Sequence, residues 1–334
     1  MSKENFQYWK ELVGLEDTDF PQLIQLEEDE IERASIVPTR MMPIKNAIAA
    51  NVLVDVQVQP GWGATTLFRY LARELKRDNL TLLVQYDFEK DKLKDELTED
   101  EFSFSTKWEM ARELAKRMRD NPMQPIYMYE VMSFEDTGES PWTGHLRQKM
   151  RALESCKNDP ERFYAELPFF ERFSVDECVN YFLANFQMRT VFLYLFPRKV
   201  DEDALYAFVG IIKNLYDGKK IQPAAMREVY IGVPKLFKQM KAVYARPYYD
   251  IPYKRYSAGE IYSMLVSTYK IQDAGASGVS DVLDEGFINA MYNEKAELNR
   301  IMGKVTQAIQ DTLEGDTADI PYKLFYSSGK GEDR

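Results

Sequence analysis

Between Asn51 and Leu75 the chain reads NVLVDVQVQPGWGATTLFRYLAREL, and Gly61, Gly63, Thr65 and Thr66 are the residues there that could do chemistry. Val52, Leu53, Val54, Val56 and Val58 are strand formers; Pro60, Gly61 and Gly63 break the run; Leu67, Tyr70, Leu71 and Leu75 then recur at helical spacing. A strand, a glycine turn and a helix in that order aim backbone N–H groups and a helix N-terminus at one point, which is how a phosphate is held. The side chains fit that chemistry only in part. The phosphate-loop pattern is Gly, four residues, Gly, Lys, then Ser or Thr. Here Val58 stands at the first glycine, Gly63 at the second, Ala64 at the lysine and Thr65 at the hydroxyl. An alanine methyl cannot replace an ammonium on the β- and γ-phosphates.

Other reactive side chains are few. The single histidine, His145, lies in the polar stretch ESPWTGHLRQ, so no multi-histidine metal site exists and no metal is expected. Cys156 and Cys178 are too few for a disulfide framework and read as buried small hydrophobes in a reducing, cytoplasmic setting. Asp87 and Glu89 fall at the end of a strand, where ligands of parallel sheets bind, but no complementary catalytic group accompanies them. Trp62 crowds the glycine turn, as a plug or as an exposed interface anchor. The run Tyr244, Tyr248, Tyr249, Tyr253, Tyr256 either stacks bases or packs a domain junction, and the acidic composition favours packing.

The elements that must position these residues follow in order. The 334 residues are 45% hydrophobic and 13% aromatic, which is a globular composition. A net charge of −11 argues against a dominant nucleic-acid footprint. The polar start MSKENFQYWK is no secretory signal, and no apolar run is long enough to span a bilayer. Strands are expected at Leu80–Tyr86, Thr190–Leu195 and Glu228–Val233, after the opening strand, and helices at Asp203–Leu215 and over KLFKQMKAVY. About 100 residues, 88–188, separate the second and third strands, with capping boxes expected at Thr106/Glu109 and Ser174/Glu177. A short extended piece over IPYKRY leads to a helix capped by Ser257 with Glu260.

This order resembles that of the AAA+ P-loop ATPases, most closely the origin-recognition-type initiators and the transposition ATPases, over roughly 40–320. QPGWGATTLFRYLAREL resembles a Walker A turn and its helix, TVFLYLFP a Walker B strand, EVYIGVPKLF a sensor-1 strand, AVYARPYYDIPYKRYSAGEIYSML the arginine-finger segment leading to a helical lid, and KAELNRIMGKVTQAI the sensor-2 helix. In that family Walker B ends in Asp-Glu, which hold magnesium and orient the attacking water. Phe196 and Pro197 stand there, and Asp201, Glu202 and Asp203 lie too far on to replace them. Sensor 1 supplies a polar group; Val233 and Pro234 occupy that region. By the same resemblance Arg246 is the arginine-finger candidate, aimed at a neighbouring subunit's nucleotide, and Arg300 the sensor-2 candidate.

The resemblance implies an α/β fold: a parallel-sheet P-loop domain over 47–250 with a large helical insertion over about 88–188. An acidic helical extension precedes it over 1–46, a helical lid follows over 251–320, and a frayed tail occupies 321–334. With Ala64, Phe196 and Pro197 in place of the catalytic groups, it implies a subunit without hydrolysis. That subunit would hold ATP or ADP uncleaved, or neither. Its expected partner is a protein, either a second copy or an active P-loop ATPase, with nucleic acid met only through the complex and no membrane. Two alternatives remain. One is a working ATP-binding protein that uses the amides of Gly61 and Gly63, Thr65 on magnesium and Arg300 in the lysine's role. The other is a DNA-binding accessory factor.

Overall fold

The computed structural model describes residues 38–51, 53–91, 93, 97–120, 128–132, 144–216, 221–243, 248–257 and 259–261. In chain order the elements are α1 (Pro38–Ala50), β1 (Leu53–Val58), α2 (Ala64–Lys76), β2 (Thr81–Asp87), α3 (Glu99–Asp120), α4 (Met128–Met132), α5 (Gly144–Ser155), α6 (Pro160–Glu166), α7 (Pro168–Arg172), α8 (Val175–Phe186), β3 (Arg189–Leu195), α9 (Glu202–Tyr216), β4 (Met226–Gly232), α10 (Pro234–Val243) and β5 (Tyr249–Tyr253). They fall into two compact units. One is drawn from Met1–Asn46, Val58–Tyr70 and Pro252–Arg334, the other from Ala47–Gln57 and Leu71–Ile251.

The second unit is an α/β layer structure around one five-stranded sheet, ordered β2-β3-β4-β1-β5. The pairings β2 with β3, β3 with β4 and β4 with β1 are all parallel. β3 and β4 are almost wholly buried, as strands covered on both faces must be, which is why TVFLYL and EVYIG read as continuous apolar runs. The expected strands are present with ends shifted by one or two residues, and β5 adds a fifth where the sequence suggests only a short extended piece.

Residues between β2 and β3 form α3 to α8, a helical layer in the same unit as the sheet. The first capping box of this layer is not Thr106/Glu109. Thr98 and Glu101 make it: the Thr98 N–H donates to Glu101 Oε2 at 2.9 Å and the Glu101 N–H to Thr98 Oγ1 at 3.2 Å. Thr106 is instead buried in mid-helix, donating to the Phe102 carbonyl at 2.8 Å and sharing a 2.5 Å hydrogen bond with the Tyr86 hydroxyl. The local motif is the same at both places; the helix, with Phe102 buried in its first turns, starts about two turns further back. The Ser174/Glu177 box on α8 forms as expected. Arg117 anchors α3 to the turn before β2, its guanidinium donating to the carbonyls of Asn79 and Thr81 and facing Glu113.

One face of the sheet carries an aromatic ladder. Tyr86, Tyr194 and Tyr230 are in register on β2, β3 and β4, with ring centroids 5.2 and 4.8 Å apart and planes tilted by 10° in each pair. Past them Phe88 and Phe196 meet at 5.2 Å. Phe208 of α9 sets its edge on Tyr194, Phe88 and Phe196 at 5.4 to 5.6 Å. Offset and edge-on aromatic pairs each add to the stabilisation that area burial supplies. Phe208→Ala should therefore lower the unfolding free energy by ~3–5 kcal/mol in chemical denaturation, while Phe208→Leu should cost under about 1.5 kcal/mol. Equal losses for the two would contradict a packed ring cluster.

Candidate functional site

The turn after β1 has the backbone that the sequence suggests. Gln59, Pro60, Gly61 and Trp62 make a type II turn, with proline at its second position, Gly61 at φ 75° in the third, and the Trp62 N–H donating to the Gln59 carbonyl at 3.2 Å. Gly63 follows at φ 83°, and its carbonyl accepts the first helical hydrogen bond of α2 from the Leu67 N–H at 2.9 Å. Both glycines thus occupy left-handed conformations that a side chain would strain. Ala64, Thr65 and Thr66 form the first turn of α2 and are half-buried.

Trp62 is no exposed anchor. Its side chain is buried, with the Arg255 guanidinium 4.6 Å above the ring and the Tyr256 ring 6.3 Å away. Tyr253 and Tyr256 are buried with it in the same unit and share a hydrogen bond of 2.5 Å between their hydroxyls, while Tyr248 and Tyr249 are exposed. The tyrosine run is therefore split, and its buried half packs the chain rather than offering rings to a strand of bases.

Arg40 organises this unit. Its Nε and Nη2 donate to Glu260 Oε1 and Oε2 at 2.8 and 2.5 Å, Nη1 donates to the Lys254 carbonyl at 2.5 Å, and the guanidinium lies 4.5 Å over the Tyr256 ring. Glu260 also closes the expected capping box, accepting from the Ser257 N–H at 2.7 Å. The Arg40 guanidinium holds the Glu260 carboxyl well below the usual carboxylate range, at about 2.

In the second unit the end of β3 is packed with rings. Phe196, where the resemblance would put an acid, is 2% exposed and packed among Phe88, Phe208 and Tyr230. Pro197 follows it, half-buried. Asp201 does not substitute: its carboxylate caps α9, accepting from the Asp203 and Ala204 N–H groups at 2.9 and 3.3 Å. Glu202 accepts from the Gln239 amide at 2.6 Å. Val233 precedes α10, and Pro234 is its first residue. Asp87 accepts from the Glu89 and Lys90 N–H groups and so shapes the turn after β2. Cys156 and Cys178 are buried, and burial pushes the Cys178 thiol up to about 12. Arg246, Arg300 and Tyr244 lie outside the described residues, as does the His145 side chain.

One polar cluster is absent from the sequence reading. Asp55, in the valine run of β1, is 4% exposed and faces Lys241 of α10, whose ammonium also meets Asp250 of β5. A carboxylate inside an apolar strand was the one signal that could have found it.

No protein-family model, curated protein or solved structure matches the chain. Among the described residues no helix is long and apolar enough to cross a membrane.

The Arg40–Glu260 pair gives a pH signature. Because the folded pKa of Glu260 lies below the ordinary 4.5, its contribution is present above about pH 4.5 and lost as pH falls toward 2. Melting temperatures of wild type and Glu260→Gln should differ most above pH 4.5 and converge toward pH 2. A constant difference across that range would contradict the pairing.

Proposed function

We propose that the chain is a AAA+-like subunit without hydrolytic activity, serving as a structural or regulatory partner in an ATPase or DNA-associated assembly. The observation that carries this reading is Phe196. A metal-holding carboxylate is wanted at the end of that strand, and a buried ring locked among three others stands there instead. Ala64 at the lysine position and Val233–Pro234 at the sensor position point the same way.

The sheet topology supports a nucleotide-type ancestry. β1 and β4 are neighbours, yet β1 connects onward to β2 at one edge and β4 to β5 at the other. Adjacent strands whose connections diverge mark the switch point where α/β sheets bind ligands. The turn after β1, with two left-handed glycines, is compatible with an anion, while Ala64 supplies no charge there. By the resemblance, the remaining chemistry would rest with Arg246, aimed at another subunit's nucleotide.

A second reading, binding of ATP or ADP without cleavage, is favoured by the same two glycines and the half-buried Thr65. Purified protein in calorimetry and a coupled turnover assay separates the cases. The expected result is magnesium-ATP turnover at the protein-free background. Any nucleotide binding should weaken by about tenfold in Thr65→Ala, in keeping with loss of one charge-assisted hydrogen bond. Magnesium-dependent turnover that Thr65→Ala abolishes would overturn the proposal.

A further inference from the structure

Within the second unit the edge strand β5 meets β1 and α10 through a cluster with more acid than base. Lys241 Nζ lies 2.5 and 2.6 Å from the two carboxylate oxygens of Asp250, and 3.7 Å from Asp55 Oδ2. Gln57 Nε2 donates to Asp250 Oδ1 at 2.9 Å, and the Lys241 ammonium rests 4.0 Å from the centre of the Tyr248 ring. The ammonium therefore sits tightest on the more exposed carboxylate, Asp250, whose side chain is 40% exposed, and more loosely on Asp55, at 6%. A small recess lined by Leu53, Asp55, Tyr230, Met240, Lys241 and Tyr248 surrounds the cluster.

The charges facing Asp55 come from each neighbouring element. α10 supplies Lys241 and β5 supplies Asp250. On β4, Tyr230 is in register with Asp55 and donates its hydroxyl to the buried Glu228 at 3.0 Å, while Arg227 of the same strand donates to the carbonyls of Ile48 and Ala49. With both aspartates ionised, one ammonium faces two carboxylates, and the buried one is under-compensated. A buried carboxylate in that position is relieved by taking up a proton, because desolvation penalises its charged form and the second carboxylate repels it.

We propose that Asp55, Lys241 and Asp250 form a proton-operated latch on β5, closed onto β1 when Asp55 carries a proton and loosened when it ionises. Neutral Asp55 leaves Lys241 and Asp250 as a balanced pair next to it. Ionised Asp55 leaves an excess negative charge in the recess, and separating β5 from β1 relieves it by admitting water. The device works in the neutral range: burial and the neighbouring Asp250 raise the Asp55 carboxyl to about 7, against an ordinary 3.8. A carboxyl whose pKa is raised in the docked state favours docking below that value and loses the contribution as pH rises through it. This inference stands apart from the reading of the nucleotide site.

Amide hydrogen exchange of the full chain at pH 6 and pH 8, expressed as protection factors so that intrinsic base catalysis divides out, tests it at Tyr249, Asp250 and Ile251. With a docked pKa near 7 and an undocked one of 3.8, protection should fall about tenfold between the two pH values. In Asp55→Asn it should be the same at both. Unchanged protection in wild type, or the same tenfold slope in Asp55→Asn, overturns the latch; a slope arising from His145 would persist in that variant. Should Asp55→Asn not fold, Asp250→Asn serves instead. Asp55 is then paired with Lys241 alone, which lowers its carboxyl, and the slope flattens; a retained tenfold slope overturns the proposal.

Discussion

Ring stacking across the parallel strands organises the buried face of the sheet. In a parallel sheet the side chains of registered residues stand side by side on one face, and here Tyr86, Tyr194 and Tyr230 use that geometry to stack across β2, β3 and β4. The row beyond them, Phe88 and Phe196, continues the packing to the carboxyl ends of the strands. Phe208 and Phe102 then seat α9 and α3 on that surface. The tight fit extends to Gly232 of β4, where an added Cβ would come within 2.8 Å of Leu236 and 3.4 Å of Phe196. Ends of parallel strands are where α/β proteins ordinarily keep their polar, ligand-binding groups. In this chain Phe88 and Phe196, at the same positions, serve as core.

The other unit depends on a different kind of interaction. Arg40 spends its planar fork on one carboxylate and its remaining N–H groups on the carbonyls of Lys254 and Arg255, so a single guanidinium fixes the segment from Tyr253 to Glu260. A lysine could not do this, because a point ammonium lacks the fork and the flat face that lies over Tyr256. Trp62 belongs to the same arrangement through Arg255 and Tyr256. The glycine turn is thereby tied to the segment after β5 by aromatic and cationic contacts, and bulk at Trp62 has a structural reason that needs no ligand.

Local signals in the sequence located the sheet well. Runs such as TVFLYL and EVYIG are long enough and apolar enough to be buried parallel strands and little else, and Gly61 and Gly63 stand where positive φ is observed. Ser174 with Glu177 and Ser257 with Glu260 show their capping roles in four residues each. Thr106 with Glu109 has the same spelling and caps nothing, because α3 begins at the Thr98 box, about two turns further back. β5 was harder to read, since an edge strand of five residues with a proline in it carries little strand pattern. The pairs that hold the molecule together were not legible at all. Arg40 meets Glu260 across 220 positions and Gln57 meets Asp250 across 193, and no local rule couples such residues. That Phe196 is a packed ring rather than a displaced acid likewise needs the neighbouring strands, which a single stretch of sequence does not contain.

On the proposed reading, the end of β3 holds rings where a nucleotide-cleaving site would hold a metal. Electron paramagnetic resonance of manganese titrated into the protein with ATP reads this directly, since manganese replaces magnesium at oxygen ligands. The expected spectrum is indistinguishable from that of manganese-ATP without protein. A protein-bound manganese signal accompanied by ATP turnover, both lost in Thr65→Ala, would contradict it.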